Sequence, residues 1–450
     1  MNYEAIKEIL FEEAGKRGLS DFDVYCTKST DLSASALNRE PSATSYGTAG
    51  GVCFRCAVEG KMGSAATECM EEAELRALVT RAKENAAVVD ADEEPVFYTP
   101  APTDVYGEVS AKKVPLPDMA TLRHTAMDLQ EKLYTASSLV TDGTETSAGA
   151  LEAGVALFNS GGLSLCHSAT MQYAYAEAVI QKEGEPSYGT AITSNVGDLT
   201  IADKALTEAT ERLGASHLAT GKYRVVFSPK QVRALLSTYS SIFSGKSALL
   251  GLSLLKGKED TEIASPVLSL YDDPFYEGNT MQMPFDAEGV PTKRKALIEK
   301  GVLKTLLYDL KNAKKAGVES TGNAVRASYA DGVGVRPFCL CVSAGSHTQE
   351  ALFREAGEGI YITELKGLHS GADAVTGDFS IESAGFLIKD GKRAGAVRGF
   401  TVAGNFYSLL RSVVAVGSEV EMGLSGVSMT AAPALLISEL SVAGESEKAP

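Results

Sequence analysis

The chain has 450 residues, 44% of them hydrophobic and 22% charged, with a formal net charge of −16. That length exceeds one ordinary core and points to two or three domains of a soluble globular protein, while the acidic field disfavours nucleic acid as a partner. No apolar run reaches the length of a membrane span, and seven scattered cysteines suit reduced thiols in a cytoplasmic protein better than a disulfide framework.

Residues 2–18 read as an amphipathic helix, with Asn2 as cap, Ile6, Ile9, Leu10 and Ala14 on one face, and Gly18 as stop. Its regularly spaced Glu residues interrupt any apolar core, so it is not expected to be a signal peptide. Alternating segments around "DFDVYCTKS", "DLSASALNRE" and "GGVCFRCAVEGKMGSAAT" read as strands, the last turning at Glu59-Gly60. Cys53 and Cys56 lie within that strand, where a spacing of three puts them on opposite faces, so a redox or metal pair is not expected. A helix at about 69–89 carries Leu75, Leu78, Val79, Ala82 and Ala86 on one stripe. Residues 90–118 open with an acidic run and hold five of the fifteen prolines, which marks a boundary.

The next helix starts at Asp118 and buries Met119, Leu122, Ala126, Leu129 and Leu133. Strands follow from about 138 to 195, then a helix at 201–213 closed by Gly214, then the strand "GKYRVVFSP". From 219 onward strand-and-turn text dominates, with a hairpin at Lys389-Asp390-Gly391-Lys392. The tail "ESEKAP" is expected to be disordered. The chain therefore reads as α+β: an N-terminal α/β module over 1–100, a middle helix-plus-strand segment over 101–218, and a Gly-rich, mainly-β C-terminal domain over 219–450.

Candidate chemistry is sparse. The five His are His124, His167, His217, His347 and His369; none precedes a Glu, and no two lie within a helical turn of each other. His124 reads as solvated and His217 as a cation suiting a helix C-terminus. His347 sits beside a capping box at Ser346-x-x-Gln349. His167, in a strand-rich stretch, stays open. Asp272-Asp273 before Pro274 reads as turn chemistry, Lys293-Arg294-Lys295 as a solvated face, and Cys339-x-Cys341 as two small apolar residues of a core strand. The segment "GLHSGADAVTGDFSIESAG" holds His369, Asp373, Asp378, Ser380 and Glu382, but catalytic partners usually come from separate elements. Asp378 and Ser380 are expected to cap turns, and Gly371, Gly377 and Gly385 to allow close backbone approach.

Three stretches in order, "GGVCFRCAVEGKMGSAAT", residues 285–326 from "FDAEGVPTKRK", and residues 362–421 containing "TGDFS" and "AGN", resemble the TldD/PmbA family, also called TldD/TldE and labelled modulator of DNA gyrase. The resemblance implies two branches. TldD-like members are zinc metallopeptidases whose metal is held by a His-Glu-x-x-x-His helix and a Cys near the C-terminus, the Glu serving as base. TldE/PmbA-like members lack those residues and pair with a TldD-like subunit, the complex maturing small peptides and removing unfolded ones. Here the metal helix should fall in "KQVRALLSTYSSIFSGKSALLG", which has no His, and the C-terminal ligand near "EMGLSGVSMTAAPALL", at Ser425 rather than a Cys. A serine hydroxyl is a poor substitute for thiolate on zinc.

The sequence thus reads as a non-catalytic TldE/PmbA-like subunit of a heterodimeric zinc peptidase, with zinc in the partner and none in this chain. Expected partners are a TldD-like catalytic subunit and peptides, with no nucleic acid and no membrane. Peptide contact is expected first at His369, Asp378, Ser380, Gly404 and Asn405. Strand addition to an open sheet edge would hold extended chains without reading their side chains. Two alternatives stay open: an autonomous peptidase built around His369, Asp373, Asp378 and Ser380, and a homodimeric peptide-binding module without zinc.

Overall fold

The computed structural model describes residues 2–89 and 94–444, so the acidic run at 90–93 and the tail at 445–450 lie outside the described residues. The first half is built on one antiparallel sheet. In chain order it contains α1 (Tyr3–Lys16), β1 (Phe22–Leu37), β2 (Glu40–Val58), β3 (Lys61–Thr67), α2 (Glu72–Val88), α3 (Met119–Ala136), β4 (Glu145–Asn159), β5 (Ser164–Lys182), β6 (Glu185–Thr193) and α4 (Thr200–Glu211). The strand order is β3-β2-β1-β4-β5-β6.

Side chains alternate across a pleated strand, and the burial follows. Phe22, Val24, Cys26, Val52, Phe54 and Cys56 pack with Leu10 of α1 and Leu75, Leu78 and Val79 of α2. Further along the sheet Ala174, Ala176, Ala178 and Ile180 pack with Leu129 and Leu133 of α3 and Ile201 and Ala205 of α4. On the opposite face Tyr25, Cys53 and Leu157 meet Phe285, Ala287 and Ala324 from the second half. Cys53 and Cys56 therefore diverge onto opposite faces, as the alternation requires.

β1 pairs with β4 without interruption from Asp23↔Asn159 to Leu37↔Glu145. The division expected between residues 100 and 101 thus runs through a single sheet. β3 covers the outer edge of β2 only from Val52 to Val58, so Glu40–Gly51 has no strand on that edge among the described residues.

The second half contains β7 (Gly221–Phe227), α5 (Pro229–Tyr239), a short 3-10 turn at Ser240–Phe243, α6 (Gly245–Leu249), β8 (Leu270–Asp272), β9 (Lys295–Glu299), β10 (Val302–Leu303), α7 (Leu310–Ala316), β11 (Ala324–Val325), β12 (Gly334–Val335) and β13 (Cys339–Val342). It continues with α8 (Gln349–Ala356), β14 (Gly359–Lys366), α9 (Leu368–Gly371), β15 (Asp378–Lys389), β16 (Lys392–Asn405), α10 (Phe406–Arg411), β17 (Val413–Met422) and β18 (Met429–Ala443). The sheet order is β10-β9-β8-β13-β18-β16-β15-β14-β7, and β7 pairs back onto β18. That closure makes a ring of β7, β14, β15, β16 and β18, which removes free strand edges. Val225, Phe227, Ile360, Ile362, Phe379, Ile381, Val402 and Ile437 from the ring pack with Val232, Leu235 and Leu236 of α5. The fold is α+β, as expected.

Two local readings change. Thr348, not Ser346, caps α8: its hydroxyl accepts from Ala351 N at 3.2 Å, so the capping position lies two residues later than the box suggested. The Lys389–Lys392 hairpin does form, with φ of 51° at Asp390 and 71° at Gly391, the paired positive values of a type I′ turn.

Candidate functional site

Segment 367–385 folds as a short helix and a tight turn leading into β15. Asp373 makes the turn, its Oδ1 accepting from Val375 N at 2.7 Å and Thr376 N at 3.1 Å. Asp378 and Ser380 do not cap turns, because both already lie on β15, where side chains stand off the sheet. The Asp378 carboxylate instead accepts from Asn405 Nδ2 at 2.9 Å, across the β15–β16 pair. Asn405 also donates to Thr376 O at 2.8 Å and caps α10 by accepting from Ser408 N. Gly404 faces Phe379, whose Cζ would lie 2.8 Å from an added Cβ.

The structure therefore gathers Asp378, Ser380, Gly404 and Asn405 at one end of the β15–β16 hairpin. His369 is exposed on α9, and no hydrogen bond links its ring to Asp373, Asp378 or Ser380 among the described residues. A nucleophile–base pair needs such contact. Close approach does occur at all three glycines: a Cβ would sit 2.5 Å from Ser380 O at Gly371, 2.5 Å from Tyr407 Cδ2 at Gly377 and 2.0 Å from Tyr361 O at Gly385.

The loop is pinned to the end of α5. Tyr239 donates its hydroxyl to Asp378 O at 3.0 Å and stacks on Phe406 with ring centroids 4.3 Å apart. The same end of α5 borders a groove of about 200 Å³, lined by Ser237, Ser240, Gly423, Leu424, Ser428 and Thr430 among others. Arg233, Ser237 and Ser240 stand at i, i+4 and i+7, which is one face of a helix continued by its 3-10 turn. Sequence reasoning missed this polar stripe, although its spacing is visible in "RALLSTYS".

The groove brings together the two segments in which the resemblance seeks zinc ligands, the helix after β7 and the stretch before β18. Its donors do not fit zinc, which takes thiolate, imidazole or carboxylate. The side-chain donors here are neutral hydroxyls, and two are committed: Ser240 Oγ donates to Ser237 O at 2.9 Å and Ser428 Oγ to Pro337 O at 2.9 Å. Arg233 adds a positive charge beside Gly423, its Nη1 3.2 Å from where a Cβ would lie. Ser425 is buried away from the groove, accepting from Thr280 N at 3.2 Å. No group of three His, Cys, Asp or Glu able to hold a metal occurs among the described residues.

The other candidates resolve as structural groups. Asp272 is fully buried rather than a turn residue, because strand β8 carries it into the core. Its Oδ1 accepts from Phe338 N and Cys339 N, at 2.8 and 3.0 Å. Its Oδ2 accepts from Asn323 Nδ2 at 2.7 Å and Lys295 Nζ at 3.1 Å. Lys295 is therefore not on a solvated face; its side chain is 8% exposed. Asp273 does serve a turn, through Phe275 N.

Nearby Asp286 accepts from Glu288 N, Val290 N and Ala324 N at 2.9–3.0 Å, yet burial raises its carboxyl to about 6. Glu288 accepts from Leu310 N at 2.8 Å; burial, then the charge of Asp286, raise it to about 8. His167 joins the two halves, its Nε2 2.8 Å from Gln282 O and its ring edge-on to Phe285; burial lowers its pKa. His347 lies 3.1 Å from Glu355, and His124 and His217 are exposed.

Residues 220–444 match the PmbA/TldA metallopeptidase C-terminal domain and residues 22–86 match PmbA/TldA metallopeptidase domain 1. The chain is 26% identical over 293 residues to the metalloprotease PmbA homolog of Buchnera aphidicola subsp. Baizongia pistaciae, covering 64% of this chain and 62% of that protein. It is 28% identical over 312 residues to the metalloprotease PmbA of Escherichia coli O157:H7, covering 67% of this chain and 66% of that one. Each alignment spans less than two thirds of the relative's length. A Thermotoga maritima crystal structure, described as a candidate modulator of a DNA gyrase, superposes with a TM-score of 0.89 at 26% identity, covering 98% of this chain and 100% of that one.

Proposed function

Since this chain belongs to the PmbA/TldD metallopeptidase family, we propose that it is the TldE/PmbA-like, metal-free member of a two-subunit zinc peptidase acting on small or unfolded peptides in the cytoplasm. One observation carries the reading. Where α5 meets the stretch before β18, the groove offers hydroxyls, with the Arg233 guanidinium beside Gly423 of its wall, in place of thiolate, imidazole and carboxylate. A neighbouring guanidinium opposes a bound cation and favours an anionic or polar ligand instead.

On this reading the zinc and the catalytic base belong to a TldD-like partner, and this chain shapes the chamber and holds an extended peptide. The outer edge of β2 over Glu40–Gly51 offers backbone donors and acceptors for strand addition. Asp378, Ser380, Gly404 and Asn405, beside the end of α5, are the peptide contacts we assign to the β15–β16 hairpin, with exposed His369 at its margin. The autonomous-peptidase alternative gains no support from His369, which has no hydrogen-bonded nucleophile or orienting carboxylate among the described residues.

The test is zinc content and peptide hydrolysis of the pure chain, alone and after mixing with a TldD-like subunit, with native mass to follow assembly. Activity only in the mixture, with zinc in the partner, is the expected result. A homodimer that binds peptide but never associates with the TldD-like chain would overturn the subunit reading.

A further inference from the structure

Beside the groove next to α5, behind the Gly423 wall, stands a cation with unused donors. Arg233 Nε is buried and has no hydrogen-bond partner. The Glu421 carboxylate is 3.9 Å from Nη2, beyond hydrogen-bond length, and that side chain is 58% exposed. The Arg233 side chain itself is only 19% exposed, so water compensates little of the lost solvation. Burial accordingly lowers its pKa from the ordinary value, although a guanidinium stays charged at any physiological pH.

Gly423 contributes by having no side chain. An added Cβ would stand 3.2 Å from Arg233 Nη1 and 3.3 Å from Thr430 O, so the glycine leaves the approach to the guanidinium open. The hydroxyls of Ser237 and Thr430 line the same groove and make no hydrogen bond among the described residues. The site has one buried guanidinium, two free hydroxyls and one nearby carboxylate. That charge balance suits a monoanion; a phosphate dianion would need more positive charge than Arg233 beside Glu421 supplies.

We propose that this groove receives the C-terminal carboxylate of a peptide, anchored by Arg233 and flanked by the Ser237 and Thr430 hydroxyls. The proposal rests on the peptide-handling reading and gives it a polarity: the chain end is fixed here and the rest of the peptide extends away from α5.

The experiment is binding of three N-acetylated, alanine-rich peptides to the full chain, read by fluorescence anisotropy. One ends in a free carboxylate, one in an amide, and one is amidated but carries an internal Glu. The free acid should bind at least about tenfold more tightly than either amide, the loss of one charge-assisted hydrogen-bonded contact. Arg233→Gln should bring the free acid down to the amide level, Arg233→Lys should recover part of the difference, and Gly423→Ala should weaken the free acid alone. Equal binding of acid and amide, or unchanged binding by Arg233→Gln, overturns the carboxylate site while leaving peptide handling intact. Equal binding of the internal-Glu amide and the free acid overturns the assignment to a chain end. Failure of all three peptides to bind overturns both the site and peptide handling by this chain, while association with a TldD-like subunit is scored separately by native mass.

Discussion

Lys295 and Asp272 form a buried ion pair in which the two partners are unequally supported, so removing each should cost differently. Without Lys295, Asp272 still accepts from Phe338 N, Cys339 N and Asn323 Nδ2. Without the Asp272 charge, Lys295 keeps only Asn323 Oδ1, at 2.9 Å. Breaking a buried pair from one side costs about 3–5 kcal/mol, because the other charge stays buried and unpaired. Lys295→Met should fall near about 3 kcal/mol and Asp272→Asn nearer about 5 kcal/mol on that scale. Removing both charges leaves no unpaired ion, so the double variant should be less destabilised than the sum of the singles by about 2 kcal/mol or more. Urea unfolding of the four proteins at neutral pH, in a double-mutant cycle, measures this directly. Additive effects, or both singles below about 1 kcal/mol, would refute the reasoning.

Two further predictions follow from the same architecture. Glu288 is raised from 4.5 to about 8, so its contribution to stability is fully present below the ordinary value and is lost as pH rises through the folded one. Glu288→Gln keeps an acceptor for Leu310 N but cannot ionise, so its melting temperature relative to wild type should climb between about pH 5 and pH 8; a flat difference would contradict the buried-acid assignment. Gly385→Ala places a Cβ 2.0 Å from Tyr361 O, a backbone atom of the neighbouring strand. It should destabilise by at least about 2 kcal/mol, whereas Gly395→Ala, with nothing within 4 Å, should be tolerated; equal melting temperatures for the two variants would contradict the close strand approach.

What the sequence makes legible is what short-range chemistry dictates. The stripe Leu75, Leu78, Val79, Ala82 and Ala86 is buried residue for residue on α2, because helical periodicity needs no distant information. The Glu59-Gly60 turn forms with positive φ at both residues for the same reason. What stays hidden is long-range. The pairing of β1 with β4 across the proline-rich segment leaves no mark in either strand, so that segment reads as a boundary although one sheet runs across it. Lys295 sits in a basic triplet indistinguishable from a surface run until Asp272 and Asn323 are brought to it. The segment at 367–385 shows a mixed outcome. Its glycines do mark close approach, while its capping oxygen belongs to Asp373 rather than to Asp378 or Ser380. The groove beside α5 depends on the stretch before β18 arriving there, although the Arg233, Ser237, Ser240 spacing is present in the text.

On the proposed reading this chain carries no zinc chemistry of its own and works through a TldD-like partner. Zinc quantified by plasma mass spectrometry on the same preparation used for peptide hydrolysis tests it most directly. Substoichiometric zinc and no hydrolysis by the chain alone are expected, with hydrolysis appearing when the partner is added. Stoichiometric zinc together with hydrolysis by the chain alone would contradict it.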